Sequence, residues 1–104
     1  MEYFQISKTD LKASRLALGC MRIADKSLEQ VEELVQTALD AGINFFDHAD
    51  IYGGGKSEEI FGEVLKKHPE YREKMIIQTK CGIVPGKRYD FSKEHILTSV
   101  ENSL

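Results

Sequence analysis

Asp47, Tyr52 and Lys80 carry three side chains whose chemistries complement one another. A free phenol has a pKa of about 10 and is a poor acid near neutral pH, but an ammonium held beside it favours the phenolate. With Lys80 in that place Tyr52 can donate a proton, and Asp47 can fix the Lys80 ammonium and keep it charged. Such an assembly protonates a developing alkoxide. Taken singly, an Asp at a strand end caps a loop, a Tyr packs and a Lys is solvated. The chemistry therefore depends on elements that bring the three together.

Hydrophobic patterning supplies those elements. Tyr3–Ser7 and Arg15–Met21 are β-prone and read as a short hairpin, with Lys8-Thr9-Asp10 and Lys12-Ala13-Ser14 as polar turn chemistry between them. Ser27-Leu28-Glu29-Gln30 fits a capping box. The helix it opens carries Leu28, Val31, Leu34, Val35, Ala38 and Leu39 on one stripe, and Gly42 ends it in a left-handed conformation. Ile43–Asp47 is short and apolar, as a strand buried on both faces would be. After a loop over 48–56, Ser57 is expected to cap a second helix with Ile60, Phe61, Val64 and Leu65 inward, stopped by His68-Pro69. Met75–Thr79 reads as a third strand running into Lys80, followed by a polar loop over 81–91. Ser92 caps a last helix with Ile96, Leu97, Val100 and Leu104 on its apolar side.

Strands alternating with helices at this spacing predict an α/β fold with a parallel sheet, either doubly wound or the start of a barrel. In such folds function sits at the carboxyl ends of the strands, which selects residues 19–25, 47–56 and 80–91. Asp47, Tyr52 and Lys80 all fall there.

Composition excludes several other classes. The 104 residues are 41% apolar and 30% charged, with 14 Lys and Arg against 17 Asp and Glu, a net charge of −3. One ordinary globular domain is expected, over residues 1–104. No apolar run reaches the roughly 18–20 residues of a membrane span, and the start lacks a signal peptide's basic and apolar regions, so a cytoplasmic location with no membrane partner is expected. A mildly acidic chain without a basic stripe is not expected to bind nucleic acid. Cys20 and Cys81, with neither CxxC spacing nor a suitably spaced His, read as reduced thiols and not as a disulfide or metal site.

Three stretches resemble one family in order. Asp47-His48-Ala49-Asp50-Ile51-Tyr52-Gly53 with Ser57-Glu58 and Phe61-Gly62 is similar to the D-x-A-x-x-Y-G…S-E…(L/F)-G stretch of the aldo-keto reductases. Gln78-Thr79-Lys80-Cys81-Gly82 is similar to that family's third-strand lysine motif, and Leu16–Met21 to its first barrel strand. The N-terminal hairpin matches the one that covers the bottom of the family's barrel. The likeness is greatest to bacterial members with His after the catalytic Asp.

The resemblance implies an N-terminal β-hairpin plus the first three βα units of a (β/α)₈ TIM barrel, incomplete as given. It also implies a reductase of aldehydes and ketones using NADPH, in some members NADH, with a small carbonyl compound as substrate. By motif Tyr52 is the general acid, Lys80 activates it and Asp47 pairs with Lys80. Gly19, Cys20 and Met21 match backbone positions beside the nicotinamide and its ribose, where Cys20 replaces the commoner Thr and loses a hydroxyl donor. Hydride reaches the carbonyl carbon while Tyr52 protonates the oxygen.

The family's fourth catalytic residue, a His at the end of the fourth strand, has no counterpart among these residues, nor have the phosphate and adenine contacts. His68 ends a helix and His95 begins one, so structural or solvated roles are expected for both. His48, beside Asp47, is expected to line the pocket. Against a barrel of about 250 residues, 104 amount to roughly two-fifths, and the last apolar stripe is interrupted at Leu104. The chain alone is therefore expected to be inactive and, with open sheet edges, to self-associate.

Two other readings remain. The family's scaffold can serve here as a non-catalytic fragment or interaction module. Gly53-Gly54-Gly55-Lys56-Ser57 lies between a strand and a helix, as a phosphate-cradling loop would, but the template's first Gly is replaced by Asp50.

Overall fold

A computed structural model describes residues 1–104. Two antiparallel strands, β1 (Tyr3–Gln5) and β2 (Lys12–Ser14), form the N-terminal hairpin, with Phe4 opposite Ala13. Its second arm is thus the polar stretch expected to be turn. The reason is tertiary: Ser14 N–H donates to Asn44 Oδ1 (2.8 Å) and Ser14 Oγ accepts from Asn44 N–H (3.1 Å), which clasps the hairpin to the chain ahead of the next strand. Arg15–Met21 supplies instead the first parallel strand, β3 (Ala17–Gly19).

Helix α1 (Leu28–Asp40) begins at the expected capping box, with both reciprocal bonds between Ser27 and Gln30 formed (3.2 and 3.0 Å). Val31, Val35 and Ala38 are its buried residues. Gly42 follows at φ +88°, where its carbonyl accepts from Tyr3 Oη at 2.7 Å.

Strand β4 (Phe45–Asp47) and strand β5 (Ile76–Gln78) complete a parallel sheet in the order β3-β4-β5. Its register aligns Gly19, Asp47 and Gln78 in one row at the carboxyl ends. Phe46 is fully buried, whereas Phe45 and Asp47 are half-buried. The expectation of burial on both faces is therefore corrected. The face of Phe46 packs under the helices, while the alternate face, with Gly19, Asp47 and Gln78, stays open because no element of these residues crosses it.

Between β4 and β5 a short 3₁₀ segment (Tyr52–Gly55) leads into helix α2 (Lys56–Lys67), and a second one (Pro69–Lys74) follows it. The N-cap of α2 is Gly55 (φ +97°), not Ser57. Ser57 lies inside the first turn, fully buried and with its hydroxyl unpartnered. Three successive glycines at positive φ turn the chain ahead of it, so that the hydroxyl faces the core and not the helix N-terminus. The core is built from Val31, Val35, Phe46, Phe61, Val64 and Tyr71, with the Phe46 and Phe61 rings 5.5 Å apart.

Residues 81–91 are more ordered than a loop. They form a small hairpin, β6 (Ile83–Val84) and β7 (Arg88–Tyr89), turning at Gly86. Helix α3 (Lys93–Ser103) is capped by Ser92, as expected. Its apolar stripe is not inward: Ile96, Leu97, Val100 and Leu104 are all exposed and Ser99 is the buried residue. The helix is tied to α2 by Ser103 Oγ donating to Glu58 (2.8 Å), and none of the other elements covers the stripe. No helix is long and apolar enough to cross a membrane.

Candidate active site

The parallel ladder runs on past the strands' ends. Cys20 N–H donates to Asp47 O (2.9 Å), His48 N–H to Gln78 O (2.7 Å) and Asp50 N–H to Lys80 O (3.0 Å). These bonds hold three loops in step, and the residues expected to carry chemistry project from them.

The three converge on one ammonium. Lys80 Nζ donates to Asp47 Oδ1 (3.0 Å), to the His48 carbonyl (2.6 Å) and to Tyr52 Oη (3.1 Å), which uses all three of its protons. It also stands 4.9 Å from the centroid of the Tyr52 ring. Partial burial works against the Lys80 charge, but the bonds to Tyr52 and Asp47 outweigh it and hold the ammonium above its ordinary range. Desolvation likewise pushes Asp47 up, and the bonds from Lys80 and Gln78 prevail and hold its carboxyl below the usual range. Since the Tyr52 oxygen accepts from Lys80, its own proton is free to point outward. A cleft of about 140 Å³ opens beside Tyr52 and Lys80, walled by Ile51, Cys81 and Ile83.

Gln78 was not anticipated. Its Nε2 donates to Asp47 Oδ1 at 2.8 Å, the oxygen Lys80 also uses. The strand period of two, which puts residues 78 and 80 on one side, was the signal available for it.

Gly19 ends β3 in line with Asp47, and a Cβ built there would meet nothing within 4 Å. Met21 is exposed, while Cys20 is buried with its Sγ turned to the Leu18 carbonyl at 3.6 Å. Burial, reinforced by the Asp47 charge, pushes the Cys20 thiol up to about 12. Cys20 is buried as a whole residue and its N–H is spent on Asp47 O, so the expectation that it contacts a cofactor is corrected: neither its side chain nor its N–H is open to a ligand. Both protein donors to Asp47 go to Oδ1, so Oδ2 is left without a protein partner. An open glycine ledge beside a carboxylate with a free acceptor fits the flat ring and ribose hydroxyl of a nicotinamide nucleotide.

Of the three histidines only His48 departs from expectation. His48 does not line the pocket of Tyr52 and Lys80. Strand alternation turns its ring to the other face, buried and edge-on to Phe61 at 4.3 Å, with neither ring nitrogen hydrogen-bonded. Only its carbonyl reaches Lys80. His68 caps the end of α2, stacks on Tyr71 at 4.5 Å and lies 3.3 Å from Glu32, and His95 sits in the first turn of α3. The phosphate-loop reading fails on Ser57, whose buried hydroxyl cannot reach a nucleotide-bound cation.

A family model described as the Aldo/keto reductase family matches residues 15–104. The chain is 42% identical to an uncharacterized oxidoreductase, YcsN, of Bacillus subtilis, covering 100% of this chain and 38% of that protein. It is 40% identical to a 6-dehydroglucose reductase of Novosphingobium aromaticivorans, covering 96% of this chain and 36% of that one. Among solved structures, the holo form of an aldo-keto reductase from Bacillus halodurans superposes with a TM-score of 0.82 at 33% identity, over 100% of this chain and 35% of that chain. A putative aldo-keto reductase of Pseudomonas aeruginosa gives 0.82 at 34% identity, over 98% and 40%. The chain thus spans less than half the length of the relatives it matches. Those solved structures are (β/α)₈ barrels, and β3 to α3 correspond to three of their βα units, preceded by the hairpin.

Proposed function

Since the chain belongs to the aldo/keto reductase family, we propose that its three βα units contribute the proton-donating part of a carbonyl reductase. In this reading Tyr52 gives its proton to the oxygen of an aldehyde or ketone. The Lys80 ammonium, 3.1 Å from that phenol oxygen, stabilises the charge left behind. Asp47 holds Lys80 in place and charged. The convergence of Lys80 Nζ on Asp47, the His48 carbonyl and Tyr52 is the observation that carries the proposal.

Gly19, the Met21 backbone and the free oxygen of Asp47 would hold the nicotinamide end of NADPH, or of NADH. When bound, the reduced nicotinamide supplies the two electrons and the hydrogen that the carbonyl carbon takes up. The protein's own part is to orient the carbonyl toward Tyr52, against Ile51 and Ile83, and to deliver the proton. A small carbonyl compound with an apolar flank suits that cleft, whose walls carry no cation besides Lys80.

The decisive experiment is Tyr52→Phe in the protein that carries these residues, followed by loss of reduced-nicotinamide absorbance with an aldehyde substrate. Abolished turnover with cofactor binding retained supports the reading, and unchanged turnover sinks it. For the 104 residues by themselves the proposal is negligible turnover, because no group here supplies the fourth catalytic histidine or the phosphate contacts. Steady cofactor oxidation by this chain, lost in Tyr52→Phe, would refute that part. The reading as an interaction module draws on the exposed stripe of α3 and the open sheet edges, and is favoured if the chain binds no nicotinamide nucleotide yet associates.

A further inference from the structure

A carboxylate at a strand end turns readily about its last bond, because that torsion is broad and shallow. Pairing with Lys80 alone would leave Asp47 free to offer either oxygen, and Lys80 free to follow it. Two donors remove that freedom. Gln78 Nε2 and Lys80 Nζ both reach Oδ1, at 2.8 and 3.0 Å, and both come from β5 or just beyond its end. Gln78 is the register partner of Asp47, and the bonds from His48 N–H to Gln78 O (2.7 Å) and Asp50 N–H to Lys80 O (3.0 Å) keep the two strand ends in step. The amide is thus carried on a rigid part of the sheet, while the ammonium swings on four methylenes.

We propose that Gln78 is a positioning residue that pins Asp47 Oδ1 on the β5 side, and so sets the point from which Lys80 reaches Tyr52. The same bond turns Oδ2 away from protein donors and leaves it for a ligand. This inference rests on the proton-donor reading of the site. Gln78 is exposed, and an exposed side-chain hydrogen bond adds little to the stability of a fold. Its loss belongs in the behaviour of the carboxylate, not in the melting temperature. A donor to the ionised form of Asp47 also favours that form, in keeping with the depressed carboxyl.

The test reads Asp47 directly, by carbon NMR titration of its carboxyl group in this 104-residue chain, the signal being identified by its loss in Asp47→Asn. In Gln78→Leu the Asp47 midpoint moves to higher pH. In Gln78→Glu it moves further, and the two carboxyls titrate as a coupled pair. An Asp47 titration in Gln78→Leu that coincides with the unsubstituted chain, with native amide dispersion, overturns the proposal. Where Gln78→Leu loses native dispersion, the near-isosteric Gln78→Glu decides, and an unmoved midpoint is again the overturning result. Turnover of Tyr52→Phe is measured separately. Its persistence removes the proton-donor reading without touching the titration, whereas an unmoved Asp47 removes only the role of Gln78.

Discussion

Lys80 Nζ and Tyr52 Oη lie 3.1 Å apart, with the same ammonium 4.9 Å from the phenol ring's centroid, although the two residues stand on loops after different strands. The parallel ladder that continues beyond β4 and β5 makes this possible, since Asp50 N–H on Lys80 O ties one loop to the other two residues short of Tyr52. Tyr52 is thereby brought within reach of an ammonium that its bonds to Asp47 and the His48 carbonyl hold in place.

Replacing Lys80 by Met keeps an unbranched side chain, one atom shorter, and removes the charge. Turnover in the whole protein is expected to fall on the order of a hundredfold or more, the scale on which a positioned acid contributes, with a modest effect on cofactor affinity. Steady-state kinetics and a cofactor titration separate the two. Unchanged turnover would take Lys80 out of the chemistry.

Much of this arrangement was legible beforehand, and the misses share a cause. The capping box at Ser27 and Gln30, the left-handed Gly42 and the strand end at Asp47 follow from local chemistry and are present, whereas β5 stops at Gln78, two residues short of Lys80. Lys12–Ser14 gave no strand signal because its pairing is imposed by Tyr3 and Phe4 across the hairpin and by Asn44 from another element. Ser57 looked like a cap because Ser usually is one, and only the three left-handed glycines before it send its hydroxyl inward. Gln78 stands in the sequence only as part of the lysine motif, and its role comes from its register partner, Asp47. What sequence periodicity does not carry is which residue from a distant segment stands opposite.

His48 yields a pH prediction. Its ring is buried against Phe61 without a hydrogen-bond partner, and desolvation holds its pKa below the ordinary 6.5, outweighing the pull of Glu58 and Asp47, while the Lys80 charge acts in the same direction as burial. The unfolded chain therefore takes up this proton first as pH falls. The contribution of His48 to stability is complete above about 6.5 and is lost as pH falls from there through the folded value. Urea unfolding at stepped pH should show stability declining below that point, and His48→Phe should flatten the decline. Parallel slopes in the two proteins would exclude His48 as its source.

The two thiols should differ in reactivity. Cys20 is buried and its thiol is pushed up to about 12, so almost none is thiolate at neutral pH, while Cys81 is half-buried on the wall of the Tyr52 cleft. Iodoacetamide should add once to the native chain, at Cys81, and a second time only in denaturant. Intact mass and peptide mapping check this, and early labelling of Cys20 would contradict its burial.

Gly53 sets where Tyr52 stands. At φ +60° it occupies the left-handed region, and a Cβ there would come within 2.3 Å of Ala24 Cβ, so the backbone next to Tyr52 has to shift. Gly54, at φ +67° with nothing within 4 Å of such a Cβ, is the matched control. Gly54→Ala should cost about 1 kcal/mol, the usual penalty for a side chain in that conformation. Gly53→Ala should cost more, and should also lower turnover of the whole protein by displacing the phenol from Lys80. Adding Ala24→Gly removes the atom that Gly53→Ala meets, and should bring the stability of the pair back toward that of Gly54→Ala carrying the same Ala24→Gly change. Denaturant unfolding of the single and double variants measures the difference. Equal losses in Gly53→Ala and Gly54→Ala would mean that backbone conformation alone, and not the contact with Ala24, holds the loop that presents Tyr52.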